Sequence, residues 1–78
     1  MLLPQRLKGK PLSKPEFEVL RAAADGLSAK ETAEKLVKSQ HTVIAQRRTI
    51  RAKLGARNLP HAIALAFRRR VLYESERR

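Results

Sequence analysis

The chain has 78 residues, with 18 lysines and arginines against 7 aspartates and glutamates, a formal net charge of +11. That length makes one small domain and excludes a two-layer enzyme with a deep cleft; the charge points to a polyanionic partner, nucleic acid before an anionic membrane surface or an acidic protein. Cysteine is absent, which excludes disulfides, thiolate nucleophiles and cysteine-based zinc sites, and no apolar run is long enough for a signal peptide or a membrane span.

Residues 1–11, with Pro4, Gly9, Pro11 and the cations Arg6, Lys8 and Lys10, read as a flexible basic arm able to follow a nucleic-acid backbone. Ser13-Lys14-Pro15-Glu16 is a capping box that opens a helix, with Pro15 tolerated in its first turn. Phe17, Val19, Leu20, Ala23 and Ala24 form the apolar stripe of that helix, and Gly26 ends it. After Leu27 comes a second capping box, Ser28-Ala29-Lys30-Glu31, and Ala29, Thr32, Ala33 and Leu36 then recur at helical spacing. Val37-Lys38-Ser39 leaves room only for a sharp corner. Ser39 caps a third helix, and Gly55 closes it as a left-handed stop.

In the third helix Val43, Arg47, Ile50 and Leu54 share one face, while Gln40, His41, Ile44, Ala45, Arg48, Arg51 and Ala52 take the opposite one. Asn58 caps a fourth helix that runs to Arg70, with Pro60 in its first turn and the arginines 68–70 at its negative end. Its apolar set is Leu59, Ala62, Ile63, Ala66 and Phe67. No strand pattern or internal repeat is present. The expected fold is all-α, four helices over residues 12–73, with a frayed end at 74–78.

Charge is distributed unevenly along these elements. No acid lies between Glu34 and Glu74, although lysine and arginine continue through that stretch. A solvated surface helix would interleave the two signs to form i,i+4 pairs. Two short capped helices at a tight corner, the second loaded with arginine, make the layout of a helix-turn-helix whose second helix enters a DNA major groove.

The outward face nominates Gln40, His41, Ile44, Ala45 and Arg48 for base contacts. Arg48 suits guanine, whose O6 and N7 an arginine can bond together, and Ile44 and Ala45 suit thymine methyls. Ser39 and Thr42, at the start of that helix, suit phosphates, as do the cations Lys30, Arg51, Lys53 and Arg57. Arg47 points inward, where Glu16 or Glu18 could pair with it as readily as DNA. His41 and His61 lack the cysteines or acidic cluster that a metal site needs, and no cofactor or catalytic constellation is implied.

These residues resemble the DNA-binding module of LuxR-type (FixJ/NarL/GerE-type) regulators. Leu12-Ser13 and Glu16-x-Glu18-Val19-Leu20 are similar to the family's opening, Leu-Thr then Arg-Glu-x-Glu-Val-Leu. Gly26-x-Ser28-x-Lys30-Glu31-x-Ala33-x-x-Leu36, Ser39-x-x-Thr42-Val43, Ile50-x-x-Lys53-Leu54-Gly55 and the Ala62/Ala66 helix continue it, so the resemblance covers Leu12 to Leu72. Departures are Pro15 for a usual Arg, Thr32 for Ile, and Lys38 for an apolar residue, which would leave that packing to Val37. Arg70 stands near a commonly small residue. Ile44 replaces a Lys that contacts DNA in the family, and Gln46 replaces a common His, so that contact does not transfer and the preferred site should differ.

The resemblance implies a recognition helix over about residues 40–54 in the major groove of double-stranded DNA. It also implies a homodimer on DNA through residues 59–70, with Leu59, Ala62, Ile63, Ala66 and Phe67 as the interface. A transcription regulator of a bacterium or phage, acting in the cytoplasm on the nucleoid and able to meet RNA polymerase, is the expected function. Met1 favours an intact small protein, controlled by its abundance or by a partner. Competing readings are a protein-interaction adaptor, for example one that binds RNA polymerase or a host regulator, and a module like region 4 of sigma factors.

Overall fold

A computed structural model describes residues 5–72 of the chain. Among the described residues the backbone forms a 3-10 turn at Gln5–Leu7 and four helices, α1 (Lys14–Ala24), α2 (Ala29–Leu36), α3 (Gln40–Leu54) and α4 (Leu59–Arg68), and no strand. The all-α expectation holds, with α4 stopping at Arg68 rather than Arg70. The frayed end expected at 74–78 and residues 1–4 of the expected arm lie outside the described residues. No helix of the described residues is long and apolar enough to cross a membrane.

Each helix starts where a side chain takes an orphan amide. Both capping boxes close: Glu16 N–H donates to Ser13 Oγ at 3.2 Å and Ser13 N–H to Glu16 Oε1 at 2.9 Å, while Glu31 and Ser28 exchange the same pair at 3.0 and 2.8 Å. Asn58 Oδ1 accepts the His61 amide at 2.8 Å, and His61 Nδ1 in turn accepts the Arg57 amide at 3.0 Å.

Each helix also ends alike. Leu27, Lys38, Ala56 and Val71 send their amides back to Ala22, Ala33, Arg51 and Ala66, the five-residue return of a Schellman motif. The residue before each return is left-handed: Gly26, Val37, Gly55 and Arg70. Glycine takes that conformation without a Cβ penalty; Val37, at φ 56°, does not.

The core sits around α3, which packs against α1, α2, α4 and the 3-10 turn. Val19 and Leu20 from α1, Val43 and Ile50 from α3, and Ala62 and Ala66 from α4 are fully buried. Burial of each larger side chain contributes about 1.5–3 kcal/mol. Alanines at 33, 62 and 66 let the helices approach closely, and Leu72, beyond α4, closes the cluster.

Residues 5–11 lie against the end of α3. Gly9 N–H donates to Lys53 O at 2.8 Å, Lys53 Nζ donates to Pro11 O at 3.1 Å, and the Lys8 stem lies over Gly55, where a Cβ would come within 2.9 Å of it. This part of the expected free arm is thus seated, its Gly9 amide taken by a C-terminal carbonyl of α3 while Arg6, Lys8 and Lys10 stay exposed.

Candidate nucleic-acid interface

α3 owes its start to Ser39, whose Oγ accepts the Thr42 amide at 3.0 Å and donates to Thr42 Oγ1 at 2.9 Å. Unlike α1 and α2, it has no acid in its first turn. The positive end of the helix dipole is therefore left without a carboxylate, and the hydroxyls of Ser39 and Thr42 stand exposed beside it. Exposed hydroxyls and free amides at a positive helix end are the groups that suit an anion.

From this end outward, Gln40, His41, Ile44, Ala45 and Arg48 are all exposed, with Ile44 half accessible at 50%. The structure brings the five base-contact candidates together on one flank and outer face of α3, between Gln40 and Arg48. Farther along, the outer face closes. Ala52, which the helical repeat places opposite Val43, is buried at 4%. The exposed outer face of α3 thus stops short of the end that the sequence pattern allowed.

The phosphate candidates separate into groups. Lys30 and Arg57 are exposed cations, and Arg51 is half-buried at the flank of α3. Lys53 is otherwise engaged: its Nζ lies 2.7 Å from Glu16 Oε1, with both side chains largely covered. The ion pair expected for Arg47 is therefore made by Lys53. From Val43, Arg47 lies about 40° to one side of the inner stripe and Lys53 about 80° to the other, so only Lys53 faces the start of α1. Arg47 instead donates from Nη2 to Leu27 O at 3.0 Å, stapling the α1–α2 link to α3. Burial, with the neighbouring Arg51, lowers its pKa from the ordinary guanidinium value.

Lys38 settles the corner differently from the expectation that Val37 would fill it. Val37 is 89% exposed, whereas Lys38 is half-buried and donates from Nζ to Gln46 Oε1 at 3.1 Å. The left-handed turn at Val37 throws its side chain outward and brings the Lys38 stem in. Neither Lys53–Glu16 nor Lys38–Gln46 has a local sequence signal, since the partners are 37 and 8 residues apart and on different elements.

Of the residues expected at a dimer face, Ala62 and Ala66 have no exposed surface, because they fill the core beneath α4. Leu59, Ile63 and Phe67 remain, one per helical turn, with Phe67 42% exposed. Among the described residues no group of three or more histidines and acids is placed to hold a metal ion.

Residues 10–66 match the family described as bacterial regulatory proteins, luxR family. The chain is also 41% identical over 63 residues to the oxygen regulatory protein NreC of Staphylococcus aureus strains JH9, JH1 and Mu3, a match covering 81% of this chain. The matched segment spans 29% of the length of those proteins.

Proposed function

This chain belongs to the luxR family of bacterial regulatory proteins, whose members are DNA-binding regulators rather than enzymes, and from that premise we propose that it regulates transcription by sequence-specific binding of double-stranded DNA. The observation that carries the reading is the stretch Gln40 to Arg48 of α3: five exposed side chains following a helix start that carries hydroxyls and no acid. A major groove is wide enough to admit such a helix. Arg48 reads guanine, Ile44 and Ala45 meet thymine methyls, and Gln40 and His41 supply polar contacts at the entering end. Ser39, Thr42, Lys30, Arg51 and Arg57 hold the flanking phosphates and set the register.

Two copies join through α4, and the strip Leu59, Ile63 and Phe67 is the apolar surface that supports this. A two-fold pair would place its recognition helices in successive major grooves. The site of action is the nucleoid in the cytoplasm.

The test is selection of bound sequences from random duplexes, followed by binding against salt. The expected result is a two-fold motif with half-sites about one helical turn apart. Log affinity should fall with log salt by about 0.9 per phosphate neutralised. Weak binding with no enriched motif would overturn the reading and favour an adaptor that contacts protein.

A further inference from the structure

At the far end of α3 from the proposed reading face, residues 9–14, the start of α1 and the segment after α4 enclose a groove of about 560 Å³. Its apolar floor includes the half-buried Leu12, Phe17 and Val71, and exposed Lys10, Lys14 and Arg69 stand around it. Among the described residues no carboxylate lines the groove, and the nearby Glu16 is turned to Lys53. We propose that this groove docks an acidic segment of a partner protein in which an aromatic or aliphatic side chain is flanked by carboxylates.

Charge complementarity and the apolar floor choose the occupant together. A phosphate or other small anion would match the cations and leave the floor uncovered. A purely apolar ligand would cover the floor and leave the cations unmatched. A DNA backbone supplies charge but no apolar side chain, and the half-buried Phe17 offers no open ring for a base to stack on. An acidic segment with one large apolar residue satisfies both at once.

The groove is also held open in advance. Gly9 N–H to Lys53 O at 2.8 Å and Lys53 Nζ to Pro11 O at 3.1 Å pin one wall, and Arg69 Nη1 donates to Leu54 O at 3.2 Å on the other. A wall fixed before binding lowers the ordering cost of the complex. Leu54 is ten residues beyond Ile44, about 15 Å along the helix axis, so groove and duplex can be occupied together. Docking in this groove does not require the outer face of α3 to bind DNA.

The experiment titrates the full-length, nitrogen-15-labelled chain with the peptide Glu-Asp-Leu-Phe-Glu-Asp and with the same peptide carrying serines for Leu and Phe. The expected result is amide shifts centred on Leu12, Phe17 and Val71, with the serine peptide weaker by about tenfold or more, the effect of losing one buried large side chain. Lys10→Glu with Lys14→Glu, both exposed, should weaken the first peptide by about tenfold, a few-fold for each reversed charge, with the melting curve unchanged. Equal affinity for both peptides would mean ion exchange alone and overturn the proposal. So would shifts confined to residues 40–48, or an oligonucleotide that displaces the peptide. Tenfold tighter binding on Glu74→Lys with Glu76→Lys would make the chain's own end the occupant and overturn it as well.

Discussion

Lys53 Nζ lies 2.7 Å from Glu16 Oε1, and that same oxygen accepts the Ser13 amide at 2.9 Å. One carboxylate thus caps α1 and fastens the end of α3 to it. Burial alone would raise the Glu16 pKa, but the bond from Lys53 and the Ser13 amide outweigh it and hold the carboxyl below its ordinary 4.5. A carboxyl depressed in the folded state contributes stability that is present above its unfolded value and is lost as pH falls through the folded one. Thermal unfolding should be level above about pH 5 and fall progressively below it. Glu16→Gln should cost about 1–2 kcal/mol at neutral pH and flatten the acid limb. An acid limb identical in both proteins would show that Glu16 is not its source.

The helices were legible because their boundaries are written locally. Ser13 with Glu16, Ser28 with Glu31, and Asn58 each carry their start signal within four residues, and Gly26 and Gly55 carry two of the stops. The exposed face of α3 was legible for the same reason, since a period of 3.6 fixes which residues of one helix share a side. What escaped depends on neighbours in space. Lys53 finds Glu16 only after α1 and α3 pack, and Ala52 is buried by tertiary surroundings that its own helix does not reveal. Ala62 and Ala66 were apolar residues of an outer helix, and only the packing shows which of its apolar residues turn inward. Val37 was misjudged because left-handed stops are expected of glycine, and a valine there carries no such signal.

Val37 should be a site where a smaller residue stabilises. It is β-branched, left-handed at φ 56° and 89% exposed, so the strain has no packing in return. Gly at this position relieves about 1–2 kcal/mol of steric cost and returns part of it as chain entropy in the unfolded state. Val37→Gly should therefore raise stability by about 0.5–1 kcal/mol in a denaturant titration. A loss instead would mean that the valine side chain has a role at the corner that exposure conceals.

Thr32 is the buried polar counterpart. It has no exposed surface, and among the described residues its Oγ1 has no hydrogen-bond partner. Valine has nearly the same shape without the hydroxyl, so Thr32→Val removes an unmatched group without opening a cavity. The expected gain is about 1 kcal/mol, read as a higher midpoint with an unchanged denaturant slope. Destabilisation would show that the hydroxyl is satisfied in solution, for example by a buried water.

The strongest division falls among three cations of α3. Arg48 is exposed on the proposed reading face, Arg51 is half-buried at its flank, and Lys53 is paired with Glu16. Arg48→Ala should cost about 1–3 kcal/mol on the selected sequence, less on random duplex, and relax the preference at one base pair. Arg51→Ala should weaken all duplexes alike and reduce the salt slope by about 0.9, the signature of one lost phosphate contact. Lys53→Ala should lower the melting midpoint and leave the salt slope as it was, because its charge is already spent on Glu16. Equal loss on selected and random DNA for Arg48→Ala would make that residue another phosphate ligand. Specificity would then have to come from Gln40, His41, Ile44 and Ala45 alone.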